Sequence, residues 1–236
     1  MKIIRCIDVE TTSTNEPPDS AICEIGWCDV AMEPSDDGRW TPVVRADRAQ
    51  AMVINPGIPI TPEARAVHHL SDADVSSGAS LRDVLPQMID GADFFAAHSS
   101  AYEKKFLADL LGDKPWICTL KAARRVWPDA PAHSLQVLRY WRDLPTVSGA
   151  PHRAGPDSYV GALILVDLIN SGASVRDMIA WEKVPSLLPG AVRFGKHKGT
   201  AWRELPSDYL DWIVNKSDMD EDAKFTASHW LREMVA

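Results

Sequence analysis

Residues 3–12, with the sequence IIRCIDVETT, predict an apolar strand that ends in two carboxylates. Side chains alternate across a strand, so Asp8 and Glu10 emerge on one face, about 6.6 Å apart along the chain. Two carboxylates this close repel each other unless a cation lies between them. Mg²⁺ and Mn²⁺ prefer oxygen ligands, and a pair of such ions can activate water in phosphodiester cleavage. The pattern therefore predicts a metal-dependent phosphoryl-transfer site at the end of a strand.

Length and composition predict a folded protein. The chain has 236 residues, 45% hydrophobic and 25% charged, which is typical of one large domain or one domain plus an appendage. A net charge of −8 argues against a general nucleic-acid coating protein, because phosphate contacts come from Lys and Arg. It does not exclude a nuclease, since metal-holding carboxylates make a site acidic. We expect a cytoplasmic protein with no membrane partner, because no apolar stretch approaches about 18 residues and Asp8 follows too early for a signal peptide.

The order of the predicted elements indicates an α/β fold with a mixed sheet. Residues 21–30 and 39–44 predict a hairpin with Asp36-Asp37-Gly38 as its turn, so the sheet begins antiparallel. Short apolar runs at 93–98 and 116–118 predict further strands that alternate with helices. The helices are predicted at residues 61–68, 80–89, 101–111, 120–126 and 156–170.

Some side-chain placements follow from the same patterns. Thr61 is the predicted N-cap of its helix, with Pro62 at the first helical position. In the helix over 101–111 the apolar stripe is predicted to contain Phe106, Leu107, Leu110 and Leu111. Trp27, Trp116 and Trp212 are expected in the core, because they lie in apolar periodic contexts.

A change in composition after residue 172 predicts three regions. Residues 1–172 form the predicted catalytic domain, residues 173–190 a linker, and residues 191–236 a small α+β appendage. The appendage contains the basic turn GKHKG, which is not a phosphate loop because its glycine spacing is too short. The turn is either simply exposed or contacts substrate phosphates through Lys196 and Lys198.

Residues 152–157, with the sequence HRAGPD, are the second candidate for chemistry. Five residues along a helix correspond to a rotation of about 500°, which leaves the two side chains about 140° apart. His152 and Asp157 therefore cannot face one site if both are helical. Pro156 is favoured at the first helical position and Gly155 is tolerated as N-cap. We therefore expect Asp157 in the first turn and His152 on the loop before it, where an imidazole can take a proton from a water acidified by a nearby metal.

Three segments, taken in order, resemble the motifs of DEDD-type 3′ to 5′ exonucleases, in the branch that carries a histidine in its last motif (DEDDh). These segments are residues 7–12, 98–103 and 152–157. Residues 55–68 are similar to the connecting segment of that family, and residues 116–128 and 194–196 resemble its exodeoxyribonuclease X group. The resemblance spans most of the first 170 residues. It implies a ribonuclease H-like mixed sheet flanked by helices.

The resemblance also implies site roles. Asp8, Glu10 and Asp157 ligate one metal, Asp8 touches a second, and His152 is the general base. The implied cofactors are two Mg²⁺ or Mn²⁺ ions, and the implied partner is DNA with a free 3′ end, from which nucleoside 5′-monophosphates are released. The residues expected to bind the terminal nucleotide are Thr11 and Thr12 at the 3′-hydroxyl and His68 and Tyr102 at the last base or sugar.

The middle motif departs from the family pattern at two positions. The family usually has Asn where Ser99 stands and Asp where Glu103 stands. Glutamate keeps the charge but adds a methylene, so direct ligation at about 2.0 to 2.2 Å requires a backbone shift, whereas contact through water does not. Glu103 remains the candidate for the second metal, and Ser99 is assigned to substrate binding.

Two alternative functions stay open at this point. One is ribonuclease T-like trimming of RNA 3′ ends, since the carboxylates do not distinguish the sugars. The other is a catalytically weak module that binds nucleic-acid ends, which the altered Ser99 and Glu103 motivate.

Overall fold

A mixed sheet forms the centre of the structure, a computed structural model that describes residues 1–35, 40–145 and 148–234. The strand order within these residues is β3-β2-β1-β4-β5. β1 and β3 flank β2 in antiparallel pairing, whereas β4 lies parallel to both β1 and β5. The mixed sheet predicted from the sequence is therefore confirmed. The strands are β1 (Lys2–Thr11), β2 (Ile22–Pro34), β3 (Trp40–Val53), β4 (Phe94–Ala97) and β5 (Trp116–Cys118).

Helices connect and cover the strands. They are α1 (Pro62–His68), α2 (Asp72–Val75), α3 (Leu81–Ile89), α4 (Ser100–Leu111), α5 (Thr119–Val126), α6 (Leu135–Trp141), α7 (Ala154–Asn170), α8 (Val175–Glu182), α9 (Ser207–Asn215) and α10 (Glu221–Glu233), with a 3-10 turn at Trp202–Glu204. No single helix in the described part of the chain is long and apolar enough to cross a membrane. Helices α7 and α8 pass that test only as a pair, across a bend of 117°.

The alternation of side chains along β1 divides the core into two clusters. Ile4 and Cys6 belong to the cluster that α7 covers. Ile7 belongs to the cluster on the other face, beneath α3 and α4. Asp8 and Glu10 have the same parity as Ile4 and Cys6, so they emerge where the α7 face of the sheet ends.

The start of α7 differs from the prediction. The helix begins at Ala154 with Arg153 at the N-cap, so the prediction of Gly155 as N-cap is wrong. The reason is a distant carboxylate: Glu24 on β2 accepts a hydrogen bond from the Ala154 N–H at 2.9 Å and stabilises an earlier first turn. Asp157 nevertheless lies in the first turn, as predicted.

Other local predictions have mixed outcomes. Thr61 caps α1 and accepts a hydrogen bond from the Ala64 N–H at 3.3 Å, which confirms that helix start. Leu110 is 43% exposed and Trp212 is 42% exposed, so both are wrong as core residues. Leu110 points to solvent because the buried stripe of α4 is narrow and centred on Leu107 and Leu111. The predicted turn Asp36-Asp37-Gly38 lies outside the described residues.

The segment predicted as a linker contains helix α8. Met178 of this helix is fully buried in the cluster beneath α7, and the helix packs against β5 and α5. Its last residue, Glu182, accepts hydrogen bonds at 2.9 Å from the ammonium groups of Lys104 and Lys121. Residues 175–182 therefore pack as part of the catalytic domain and do not form a linker between it and the C-terminal residues.

Residues 183–234, called here the C-terminal unit, have a small core of their own. It includes Trp202, Leu210 and Ile213. Ala191 and Ala201 form an isolated antiparallel bridge, and the described part of this unit otherwise contains helices and the 3-10 turn, so the predicted α+β appendage is chiefly helical. An ion pair between Arg124 of α5 and Asp222 of α10, together with other contacts, joins the unit to the domain.

Candidate active site

Three carboxylates from two elements meet at the end of β1. Asp8 and Glu10 extend from β1, and Asp157 extends from the first turn of α7. One oxygen of each lies within 4.8 Å of the others. This spacing suits a single divalent cation bound by oxygen ligands. The structure thus brings together three residues that are up to 149 positions apart in the chain.

A fourth carboxylate, Glu103, lies beside these three. It is buried in the first turn of α4, and its Oε2 has no hydrogen-bond partner among the described residues. It is not part of the 4.8 Å group, but of the neighbouring charges it raises the pKa of Asp8 most. A buried carboxylate oxygen without a partner is unfavourable, and a cation, directly or through water, would satisfy it. The donor set therefore fits divalent metal ions.

The four carboxyl groups have raised pKa values. Burial raises the pKa of Asp8 well above its usual range, with Glu103 and Glu10 adding to the effect. Burial, then Asp157 and Glu24, raise the pKa of Glu10 to about 8. Burial raises the pKa of Glu103 to about 8 and also raises that of Asp157. A divalent cation would favour the ionised forms and lower these values.

These shifts predict the pH dependence of stability without metal. Between the unfolded carboxyl pKa of about 4.3 and the folded value of about 8 for Glu10 and Glu103, the folded state binds more protons than the unfolded state. The free energy of unfolding therefore falls as the pH rises through this window. We expect the Tm of EDTA-treated protein to fall from about pH 5 to about pH 8, and Mg²⁺ to raise the Tm most at the upper end.

Thermal unfolding over this pH series, with and without MgCl₂, tests that expectation. The Glu10→Gln variant is the matched control, because it removes one of the titrating groups and should flatten the slope. A Tm that is independent of pH without metal, or a Mg²⁺ effect that is largest at low pH, would contradict it.

Backbone and side-chain donors orient Asp157. Its Oδ2 accepts a hydrogen bond from the His152 backbone N–H at 2.8 Å, and its Oδ1 accepts one from Gln136 Nε2 at 2.7 Å. His152 has a left-handed backbone with φ of 60° and an exposed side chain. It lies on the loop before α7, as the sequence predicts. Sequence reasoning missed Gln136, because no local pattern links α6 to the site.

Glu24 is a second residue that sequence reasoning missed. It is buried on β2, directly opposite Glu10 in the strand register. Arg153 Nε donates to its Oε2 at 2.9 Å, and the Ala154 N–H donates to the same oxygen at 2.9 Å. Glu24 therefore fixes the first turn of α7, which carries Asp157, against the sheet. An acidic residue inside the apolar run of residues 22–28 was a visible signal for such a role.

Gly26 allows α7 to approach β2 closely. It lies opposite Asp8 in the register, and a Cβ at this position would be 2.2 Å from the carbonyl oxygen of Ala154. No real Cβ tolerates that distance to a backbone atom. The position of Asp157 relative to Asp8 therefore depends on a glycine at position 26.

We expect Gly26→Ala to displace the first turn of α7. Misplacement of a ligand by about 1 Å can cost about 10²-fold in rate, and overpacking typically costs about 1–3 kcal/mol of stability. Exonuclease rate and urea unfolding of the purified variant measure both effects.

Gly161→Ala on the same helix is the matched control. A Cβ at Gly161 meets nothing within 4 Å, so this change should keep activity and stabilise the helix by about 0.5–1 kcal/mol. Full activity in Gly26→Ala would show that α7 does not depend on this contact.

The residues predicted to bind the terminal nucleotide differ in accessibility. Thr11 Oγ1 donates to the Ser13 carbonyl at 2.9 Å and shares a hydrogen bond with the Tyr102 hydroxyl at 2.6 Å. Thr12 is buried, and its Oγ1 accepts from the Ala21 N–H at 3.1 Å. Ser99 is exposed immediately before α4. Substrate contact by these residues stays a prediction.

His68 is closed off by its surroundings. It is 2% exposed, and its Nδ1 accepts a hydrogen bond from the Leu70 N–H at 3.0 Å. The proton is therefore on Nε2, which donates to the Thr11 carbonyl at 3.2 Å. The structure gives His68 a position behind Thr11, supporting the end of β1, and its burial does not favour direct contact with a base or sugar.

Lys196 and Lys198 lie on an exposed turn of the C-terminal unit. They do not belong to the carboxylate cluster. Their predicted phosphate contacts therefore concern a different surface from the one that Asp8 and Glu10 form.

A family model and two curated relatives assign the chain to the same kind of protein. The family model RNase_T, described as Exonuclease, matches residues 6–165. Exodeoxyribonuclease 10 of Escherichia coli strain K12 is 30% identical over 236 residues, which is 97% of this chain and 99% of the relative. The protein of the same name from E. coli O6:H1 strain CFT073 matches equally well.

Solved structures share the fold. A structure described as exonuclease X in complex with 5′ overhanging duplex DNA is 30% identical, has a TM-score of 0.60, and covers 76% of this chain and 99% of its own. The nuclease domain of 3′hExo, a DEDDh family member bound to rAMP, is 18% identical with a TM-score of 0.57, and covers 72% of this chain and 93% of its own. The α/β fold that the resemblance implied is confirmed. The chain belongs to the RNase_T exonuclease family and is a metal-dependent 3′ to 5′ exonuclease.

Proposed function

We propose that this exonuclease hydrolyses the terminal phosphodiester bond at DNA 3′ ends and releases nucleoside 5′-monophosphates, with two Mg²⁺ or Mn²⁺ ions as cofactors. The convergence of Asp8, Glu10 and Asp157 carries this proposal. The name of the relative, Exodeoxyribonuclease 10, and the DNA complex of exonuclease X support DNA as the substrate.

The carboxylates divide the metal-holding role. Asp8, Glu10 and Asp157 would hold one ion, and Asp8 with Glu103 would hold the second. When bound, the ions supply Lewis-acid activation of water and stabilise the charge on the leaving oxygen. Asp157 is kept in place by the His152 N–H and Gln136, so its carboxylate needs little reorganisation.

His152 is the proposed general base. Its side chain is exposed beside the carboxylates, while its backbone is tied to Asp157. The imidazole takes the proton of a water that attacks the terminal phosphorus, and the P–O3′ bond to the penultimate nucleotide breaks. The last nucleotide leaves as a 5′-monophosphate. The leaving O3′ of the shortened strand takes a proton from solvent water and becomes the new 3′-hydroxyl.

The terminal nucleotide would lie along the edge formed by Thr11 and Tyr102. These two side chains are hydrogen-bonded to each other next to Glu10. Thr11 with Thr12 would approach the 3′-hydroxyl, and Tyr102 with Ser99 would border the last base or sugar. His68 supports this edge through the Thr11 carbonyl.

Matched DNA and RNA oligonucleotides labelled at the 5′ end test the function. We expect stepwise shortening of DNA with Mg²⁺ or Mn²⁺ and none with EDTA. A 3′-phosphate block and the Asp8→Asn variant are the controls. Faster shortening of RNA would favour the ribonuclease T-like alternative, and metal-dependent retention of label without shortening would favour an end-binding module.

Glu103→Asp is expected to keep or raise the exonuclease rate. Aspartate restores the residue usual in the resembled family, and the shorter side chain leaves room for a water between carboxylate and ion. The rate as a function of Mg²⁺ concentration measures the effect. Glu103→Gln is the control, because it removes the charge while keeping the length and should weaken the Mg²⁺ dependence. Complete loss of activity in Glu103→Asp would show that this chain is tuned to glutamate.

A further inference from the structure

Two aromatic rings stack on each other in the C-terminal unit, and one of them is exposed. The rings of Tyr209 and Trp212 on α9 are nearly parallel, with an interplanar angle of 16° and centroids 5.6 Å apart. Tyr209 is buried, whereas Trp212 is 42% exposed. The indole therefore rests on a second ring and remains accessible to solvent, an arrangement on which another flat ring can stack.

A basic turn packs against the same tyrosine. Lys196 Nζ lies 5.3 Å from the centroid of the Tyr209 ring, and the His197 ring centroid lies 4.4 Å from it. Gly195 has a φ of 61°, and a Cβ there would lie 2.6 Å from the Tyr209 hydroxyl oxygen. The turn therefore packs closely against the Tyr209 ring, and this contact places Lys196 beside the two stacked rings.

These residues surround a shallow depression. Lys196, Asp208, Tyr209 and Trp212 line a volume of about 390 Å³. Lys198 is exposed two residues from Lys196. We call Lys196, Lys198, Tyr209 and Trp212 the aromatic platform.

The charge around the aromatic platform differs from that of the whole chain. The C-terminal unit, residues 183–234, contains eight basic and eight acidic side chains, a net charge of 0, while the chain has a net charge of −8. A polyanion is therefore repelled less by this unit than by the rest of the protein. Asp208 also lines the depression, so the phosphates are expected on the lysine side.

The aromatic platform lies outside the matched exonuclease domain. The family model ends at residue 165, and the solved exonuclease X chain covers 76% of this chain although 99% of that chain is matched. An exposed tryptophan is not needed for the small core of the unit, which consists of other residues. Replacement of Trp212 should therefore leave that core intact.

We propose that the aromatic platform binds an unpaired stretch of nucleic acid, with one base stacked on Trp212 and the flanking phosphates at Lys196 and Lys198. The strand must be unpaired, because both faces of a base in a duplex are covered by its neighbours. Any of the four bases can stack on an aromatic side chain, so we expect binding with little preference for nucleotide sequence. This inference rests on the proposed function in one respect: it takes the substrate of the exonuclease to be the ligand of the aromatic platform.

Binding to a circular single-stranded oligothymidylate isolates the aromatic platform, because a circle has no 3′ end to enter the carboxylate site. Fluorescence anisotropy of a labelled circle of about 30 nucleotides, with full-length protein in the Asp8→Asn background, gives the Kd. We expect Trp212→Ala to weaken binding about 5- to 100-fold and Trp212→Tyr to restore most of it. The double change of Lys196 and Lys198 to Ala should reduce the salt slope by about 0.7 per lysine.

Matched controls lie elsewhere on the molecule. Trp40→Ala removes a tryptophan that is 53% exposed on β3, at the opposite end of the strand order from β5. Lys224→Ala removes one lysine charge on α10. Both should leave the Kd and the salt slope unchanged. The proposal is overturned if folded Trp212→Ala binds the circle like its parent, or if the parent binds the circle no better than a blunt duplex of the same length.

The test separates this inference from the proposed function. If the protein shortens linear DNA but does not bind the circle, only the proposed role of the aromatic platform is overturned. If it binds the circle in a Trp212-dependent way but shortens neither linear DNA nor RNA, only the proposed function is overturned.

Discussion

Replacing Asp8 with Asn is expected to abolish exonuclease activity and, at the same time, to stabilise the metal-free protein. Asp8 belongs to the three-carboxylate group and also faces Glu103. A bound metal contributes several kcal/mol to transition-state stabilisation, and each 1.4 kcal/mol or so is tenfold in rate, so the loss should be about 10³-fold or more. Removal of one carboxylate from a group of four relieves their mutual repulsion, which favours the folded state.

Three measurements check this result: the single-turnover rate on 5′-labelled DNA, calorimetric Mg²⁺ binding, and the Tm in EDTA near pH 8, where repulsion is greatest. Asp29→Asn is the control. Asp29 is fully buried, and both of its oxygens accept hydrogen bonds from Arg5, at 2.7 and 2.8 Å. Its loss should destabilise the protein by about 3–5 kcal/mol. A lower Tm or wild-type activity in Asp8→Asn would contradict the assignment of Asp8.

Replacing His152 with Asn is expected to lower the exonuclease rate about 10²- to 10⁴-fold, the usual contribution of a general base, while Mg²⁺ binding is retained. The hydrogen bond that orients Asp157 comes from the backbone N–H of residue 152 and not from its imidazole. Asparagine is suited to the left-handed backbone at φ of 60°, so the loop should keep its conformation.

Mg²⁺ affinity and the Kd for DNA distinguish this role from a structural one. The variant should keep both values while its single-turnover rate falls. His69→Asn is the matched control, because His69 is also exposed and has a left-handed backbone with φ of 63°. An unchanged rate in His152→Asn, or an equal loss in His69→Asn, would remove His152 from the mechanism.

The predictions that the structure confirms came chiefly from local patterns, although the local predictions of Gly155 as N-cap and of a buried Leu110 were wrong. The strand that presents Asp8 and Glu10 follows from a period of two, and the start of α1 follows from Thr61 and Pro62, because backbone conformation responds to the nearest few residues. The placement of His152 before a helix that carries Asp157 in its first turn had the same local basis. The DEDDh resemblance then linked these segments before any contact between them was known.

The contacts that set the geometry of the site join residues far apart in the chain. Glu24 caps α7 across 130 positions, Gly26 admits the backbone of that helix, and Gln136 reaches Asp157 from α6. The exposure of Trp212 likewise depends on which face of α9 the small core covers. The sequence by itself determined the elements and the chemical groups that they carry, since both are encoded locally. Only the tertiary structure decided the spacing of those groups, since that depends on the packing of segments that are distant in the sequence.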